Sequence, residues 1–286
     1  MVLVYIMAFY VTRKDFQDIN VLLLIGGLVI YLATLLVLTN VIQKNDLTQG
    51  NTYAPLLFAI FSALMPVGLV SFDILLANLI LLIALRSLLS LRNEKQANSK
   101  IFDASLLVPL AVLCYFWSIL YFILIFLAIA FFANNSYKNW LIPFVGVTTV
   151  YVLTTCFYLV FYDSFIPHSY FLSGISLDFT NYLDAINIFT LGVLIICTLF
   201  FLTVYIAKFR RKPAVVKSVL RLIIFQFVIG FAVIIFAVDK NASELYLLAS
   251  PLALIATTYF ETDINDIAKE INIWVLLLLP FTLLLF

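Results

Sequence analysis

From Val21 to Ile42 the chain runs without a single charged residue, and from Ile188 to Ala207 it does so again. Each block matches the roughly 20 residues that a helix needs to cross ~30 Å of hydrocarbon. A spanning segment must satisfy its own backbone hydrogen bonds, and the alternation expected of barrel strands is absent, so helix is the expected state. The rest of the chain has the same character: of 286 residues, 65% are hydrophobic and 11% charged. An ordinary soluble domain is about half apolar and about a quarter charged. Lipid is therefore the expected solvent for most side chains.

Charged and Gly/Pro-rich punctuation separates apolar segments near 1–12, 20–42, 53–70, 73–91, 104–133, 140–162, 187–208, 219–238, 245–260 and 273–286. The expectation is all-α: a single transmembrane domain over 1–286, a polytopic helical bundle of about ten apolar segments. The first twelve residues lack the basic leader and small-residue cleavage site of a signal peptide. They are short for a full span, so we expect a tilted or partly embedded helix, or a start further upstream.

The block Ala104 to Ala133 is too long for one straight crossing: thirty residues of helix would measure about 45 Å. Either the helix tilts steeply, or two short helices turn near Cys114–Ser118 and return. Lys and Arg in short loops favour the cytoplasmic side, and this rule separates the two readings. A return puts Lys44, Arg86, Arg92, Lys95, Lys100, Lys138, Lys208, Arg210, Arg211, Lys212, Lys217, Arg221 and Lys269 inside, with Arg13, Lys14 and Lys240 outside, thirteen against three. A single crossing gives ten against six. We therefore expect a broken short-helix pair at about 104–133, with the loops at 92–100 and 208–218 on one side and 163–187 opposite.

Sixteen basic and fifteen acidic residues nearly cancel, so no polybasic arm points to nucleic acid as a partner. Cys114, Cys156 and Cys197 sit inside apolar blocks and read as small hydrophobes. His168 is the only histidine, which excludes sites built from several imidazoles; no metal and no cofactor is expected. The cluster Lys208, Arg210, Arg211 and Lys212 reads as a topology determinant, or else as a site for an anionic lipid headgroup or a phosphate. The stretch Asp163 to Asn187 interleaves acids with aromatic rings, the pattern of an interfacial loop. Its alternative is the mouth of an outer-face substrate site formed by Asp15, Asp18, Asp73, Asp163, His168 and Asp178, with an Asp or His168 as base. Asn78 and Gln226 fall mid-span, where interhelical hydrogen bonds are expected.

The strings Lys100-Ile-Phe-Asp-Ala-Ser, Tyr115-Phe-Trp-Ser-Ile-Leu-Tyr121 and Tyr137-Lys-Asn-Trp-Leu-Ile-Pro143, with Leu-Leu-Ala-Asn78 before them, resemble an uncharacterised family of polytopic inner-membrane proteins from Bacteroidota. The resemblance runs over most of the chain and implies a multi-pass protein of the bacterial inner membrane. Relatives labelled as carotene-cleaving oxygenases would need several histidines, which this chain lacks. At the level of scaffold, the paired short helices and the Arg-capped helix are also similar to membrane glycosyltransferases that use polyprenyl-phosphate sugars.

The expected role is a non-enzymatic inner-membrane component, a scaffold or partner subunit of a cell-envelope assembly, with membrane lipids and another membrane protein as partners. The alternative is a transferase or carrier acting on a lipid-linked substrate.

Overall fold

The computed structural model describes residues 2–12, 21–45, 52–93, 96–133, 136–165, 174–176, 178–209, 214–238, 240–261 and 266–285. Among them there is no strand. Twelve α-helices follow in order: α1 Val2–Thr12, α2 Val21–Lys44, α3 Tyr53–Ala63, α4 Pro66–Val70, α5 Phe72–Leu89, α6 Ala97–Cys114, α7 Phe122–Phe132, α8 Tyr137–Tyr162, α9 Ala185–Phe209, α10 Ala214–Phe236, α11 Ala249–Phe260 and α12 Asp266–Thr282. Short 3-10 segments at Phe116–Tyr121, Thr180–Leu183 and Ser243–Leu248 join some of them.

Among the described residues six helices, not ten, are long and apolar enough to cross a bilayer: Leu22–Lys44, Phe72–Arg92, Ala97–Cys114, Tyr137–Tyr162, Ala185–Lys208 and Lys217–Phe236. The other apolar segments stop short. α3 has 11 residues, about 16 Å, half the hydrocarbon thickness. It ends because Pro66 cannot donate to the carbonyl four positions back, and the chain turns at Met65 (φ −116°, ψ 62°) before Pro66 opens α4. The amide of Met65 bonds Ser62 O at 3.1 Å, and the Leu64 carbonyl accepts from Thr190 Oγ1 of α9, also at 3.1 Å.

The broken segments form the centre of the bundle. α3 packs along α11, and α4 packs against the 3-10 segment Ser243–Leu248. At Gly68 an added Cβ would lie 2.4 Å from Tyr246 Cβ and 2.8 Å from Ser243 O, so only glycine allows this approach. These segments are apolar on all sides because they are buried on all sides, which is the second way a helix becomes uniformly hydrophobic. Two polar ties fix the register of this core: Tyr31 Oη and Ser62 Oγ at 2.9 Å, and Ser250 donating to Asn78 Oδ1 at 3.4 Å. The second is the interhelical bond expected of Asn78. Gln226 does not meet that expectation fully: it is buried, and its Oε1 has no donor among the described residues.

The block Ala104–Ala133 is broken. Tyr115 is extended (φ −144°, ψ 109°) and terminates α6; the segment Phe116–Tyr121 follows, then α7. Trp117 stacks on Phe236 of α10 at 6.2 Å, so the turn is held by packing against a distant helix. The chain then returns to the end it left, because Ala97, Phe132, Ala133 and Lys138 line one recess. α6 and α8 consequently run parallel, and they touch where Gly146 meets Ser105.

Lysines mark that end. Lys100 Nζ donates to Ser90 O at 2.6 Å within reach of the Lys44 charge, and Lys208 Nζ donates to Thr258 O at 3.1 Å. At the opposite end lie the starts of α5 and α9 and the end of α10.

Candidate functional site

The densest arrangement of ionisable groups among the described residues is at the end opposite these lysines, where residues 178–184 fold across the segment 240–248. Glu244, in the segment Ser243–Leu248 that precedes α11, does not project into solvent. Instead the 3-10 segment turns it inward, and its exposure is 0%. Ala242, in the left-handed region at φ 64°, makes the turn that delivers it. Tyr182 donates to Glu244 Oε1 at 2.8 Å, and Ser243 Oγ lies 3.5 Å from Oε2.

Burial raises the carboxyl of Glu244 above its usual value, while bonds from its own backbone, Tyr182 and Ser243 and the charge of Lys240 pull the other way without cancelling it. The Tyr182 phenol is pushed up in turn, by burial and then by the Glu244 charge beside it, so it remains a donor. A buried acid that keeps its proton more readily than usual is the consequence.

Lys240 is equally enclosed, at 2% exposure. Its ammonium donates to Ile235 O at 2.6 Å and Ile234 O at 3.3 Å, and it lies 3.7 Å from the centroid of the Phe179 ring. It thus caps the C-terminal carbonyls of α10, where a cation also meets the negative end of the helix dipole. Asp178 is exposed, and the hydroxyl and amide of Thr180 bond its carboxylate, holding it below the usual range. The arrangement ties 178–184 to the core through one hydrogen bond and one cation–π contact.

The other residues singled out from sequence are not gathered with it. Asp73 is exposed in the first turn of α5, where its charge falls on Cys114. Asp163 is exposed at the end of α8, with φ 48°. Lys208 is half-buried and engaged with Thr258 O. Asp15, Asp18, His168, Arg210, Arg211 and Lys212 lie outside the described residues. Among the described residues no three His, Cys, Asp or Glu side chains come together as a metal set. Cys114, Cys156 and Cys197 carry free thiols. A Cβ added at Gly230 of α10 would face Leu248 and Tyr121 within the chain, and one added at Gly192 of α9 would meet nothing within 4 Å.

Glu244 and Lys240 were missed because each reads as an ordinary loop charge. The available signal was their setting: Ser243-Glu244 leads directly into a run from Leu245 to Ala256 without another charge.

No family model, no curated protein and no solved structure matches this chain.

Proposed function

We propose that the chain is a non-enzymatic, multi-pass component of the bacterial inner membrane that holds a partner membrane protein within a cell-envelope assembly. The observation that carries this reading is the outer half of α8. Its first half is anchored to α6 through Pro143, Gly146 and Val150. Beyond Val150 no residue of the helix is buried, as far as Tyr162. That is about 18 Å of helix on which Thr154, Thr155 and Tyr158 are half-buried and every other side chain is exposed. The stretch carries a preformed surface: Phe157 and Phe161 are 4.6 Å apart by ring centroids, Tyr158 and Tyr162 5.4 Å. Thr154 and Thr155 satisfy their hydroxyls on Val150 O and Tyr151 O, each at 2.8 Å, so neither threonine hydroxyl obstructs a second helix.

In this reading the lysine-marked end faces the cytoplasm, as the bias of short basic loops supports, and residues 174–184 face the other side. Membrane lipid covers the remaining apolar surface.

A photo-crosslinking residue at each of Leu153, Tyr158 and Val160 tests the proposal in intact cells. The expected result is one protein adduct of defined mass, strongest at positions that share a face. Lipid adducts of equal strength at every position would overturn it.

A further inference from the structure

The consecutive helices α9 and α10 are pinned at the lysine-marked end, where the Tyr205 hydroxyl donates to Leu220 O at 3.1 Å. Towards the other end each leans on α11, and a groove of about 270 Å³ remains between them. Leu191, Leu194 and Thr198 form one wall, Phe227 and Phe231 the other, and Leu248 lies at the base. Both walls belong to helices long and apolar enough to span a bilayer. An apolar recess at that depth is filled by hydrocarbon, because an empty one forfeits dispersion contacts and water gains no partners there.

What lies above the mouth selects among lipids. The α9 wall begins at Asp184, which is exposed and whose carbonyl accepts from Ile188 N; it stands about 10 Å beyond Leu191 along the helix axis. The α10 wall ends at Ile234 and Ile235, whose carbonyls hold Lys240, and the charge of Asp178 falls on Lys240 from outside. Lys240 itself is enclosed by those carbonyls and by Phe179. The exposed charges at the described rim are therefore two carboxylates.

We propose that the α9–α10 groove is a lipid site that takes one acyl chain of an amine-bearing phospholipid, with the headgroup ammonium against Asp178 and Asp184. An anionic lipid of the same chain meets like charge at the rim and binds less well.

The full-length protein in phosphatidylcholine vesicles at low salt, probed with chain-spin-labelled phosphatidylethanolamine or phosphatidylglycerol, provides the test. The motionally restricted fraction should favour phosphatidylethanolamine by about two- to fivefold, the range an exposed ion pair gives. That preference should vanish in the double variant Asp178→Asn, Asp184→Asn, and should decline with added salt in the wild-type protein. Thr198→Trp, which fills the groove, should lower the restricted fraction of both lipids. Equal restriction of the two lipids, a preference for phosphatidylglycerol, or a preference that survives either the double substitution or high salt would overturn the proposal. Because both aspartates are exposed, an unchanged melting temperature serves to show that the double variant is folded.

Discussion

Tyr182 donates a hydrogen bond to Glu244 Oε1 across 2.8 Å, joining a surface turn to a carboxyl that no solvent reaches. Since burial raises the Glu244 carboxyl, the folded protein holds the carboxyl proton at pH values where the unfolded chain releases it. The resulting stability is fully present below the unfolded value of about 4.3 and is lost as pH rises through the folded one. We expect the melting temperature in detergent to fall as pH rises across the range above about 4.3, where burial makes the folded protein hold the Glu244 proton longer than the unfolded chain does, and Glu244→Gln to flatten that slope. Tyr182→Phe, which removes the donor, should cost about 1–3 kcal/mol at either end of the range. A melting temperature independent of pH in the wild-type protein contradicts this account.

Ala242 occupies the left-handed region at φ 64°, which costs an alanine about 1–2 kcal/mol. Glycine adopts it freely but loses about 0.4–1 kcal/mol through the unfolded chain. Ala242→Gly should therefore raise stability by about 0.5–1 kcal/mol, read as an increased midpoint in thermal unfolding.

Gly146 sets the distance between α6 and α8. An added Cβ would stand 2.4 Å from Ser105 Cβ and 2.7 Å from its backbone carbon and oxygen. Backbone cannot yield as a side chain does, so Gly146→Ala should cost about 1–3 kcal/mol. Gly192→Ala, in open space, should cost nothing and gain up to about 1 kcal/mol of helix propensity. Equal melting temperatures for the two variants would show that α6 and α8 are not packed as described.

Single cysteines at Gln96 and Ala214, in a cysteine-free background, should react with an impermeant maleimide only from the cytoplasmic side, and one at Ile175 only from the opposite side. The segregation of Lys44, Lys100 and Lys208 from the Tyr182–Glu244 tie motivates this assignment. Labelling of Gln96→Cys and Ala214→Cys from opposite sides would be incompatible with it.

Replacing any one of Asp15, Asp18, Asp73, Asp163, Asp178 or Asp184 by Asn should leave complementation of a deletion strain largely intact. A catalytic base contributes about 10²- to 10⁴-fold to rate, whereas an exposed acid that takes no part in chemistry changes stability by a few tenths of a kcal/mol when replaced singly. A variant that accumulates normally in the membrane yet fails to complement would favour a transferase acting on a lipid-linked substrate.

The all-helical body and the break at Tyr115 were legible from sequence, because length and charge alone constrain them: a block of thirty residues overruns the bilayer, and its basic flanks require a return. The short helices were not. Tyr53 to Val70 carries enough apolar residues for a crossing; Pro66 marks where its helix can break, but only tertiary context reveals that α11 covers α3. Hydropathy measures how apolar a segment is and cannot distinguish contact with lipid from contact with protein. The same blindness hid Glu244, since the inward turn at Ala242 depends on α4 presenting Gly68 to Ser243 and Tyr246. Among the described aspartates marked as a substrate mouth, Asp73 and Asp178 face different neighbours.

The return through α7 bears on how the chain is made. Together with the 3-10 segment before it, α7 forms the apolar helical stretch Phe116–Phe132, shorter than the roughly 20 residues of an ordinary crossing. Its seat is completed by α10, against which α7 packs and whose Phe236 receives Trp117, and α10 is synthesised later. The contacts that seat α7 beside α6 and α8 are therefore complete only once α10 has been made. Until α10 arrives, the middle of the nascent chain holds a hydrophobic half-hairpin without its closing partner, which makes this interval the vulnerable stage of biogenesis.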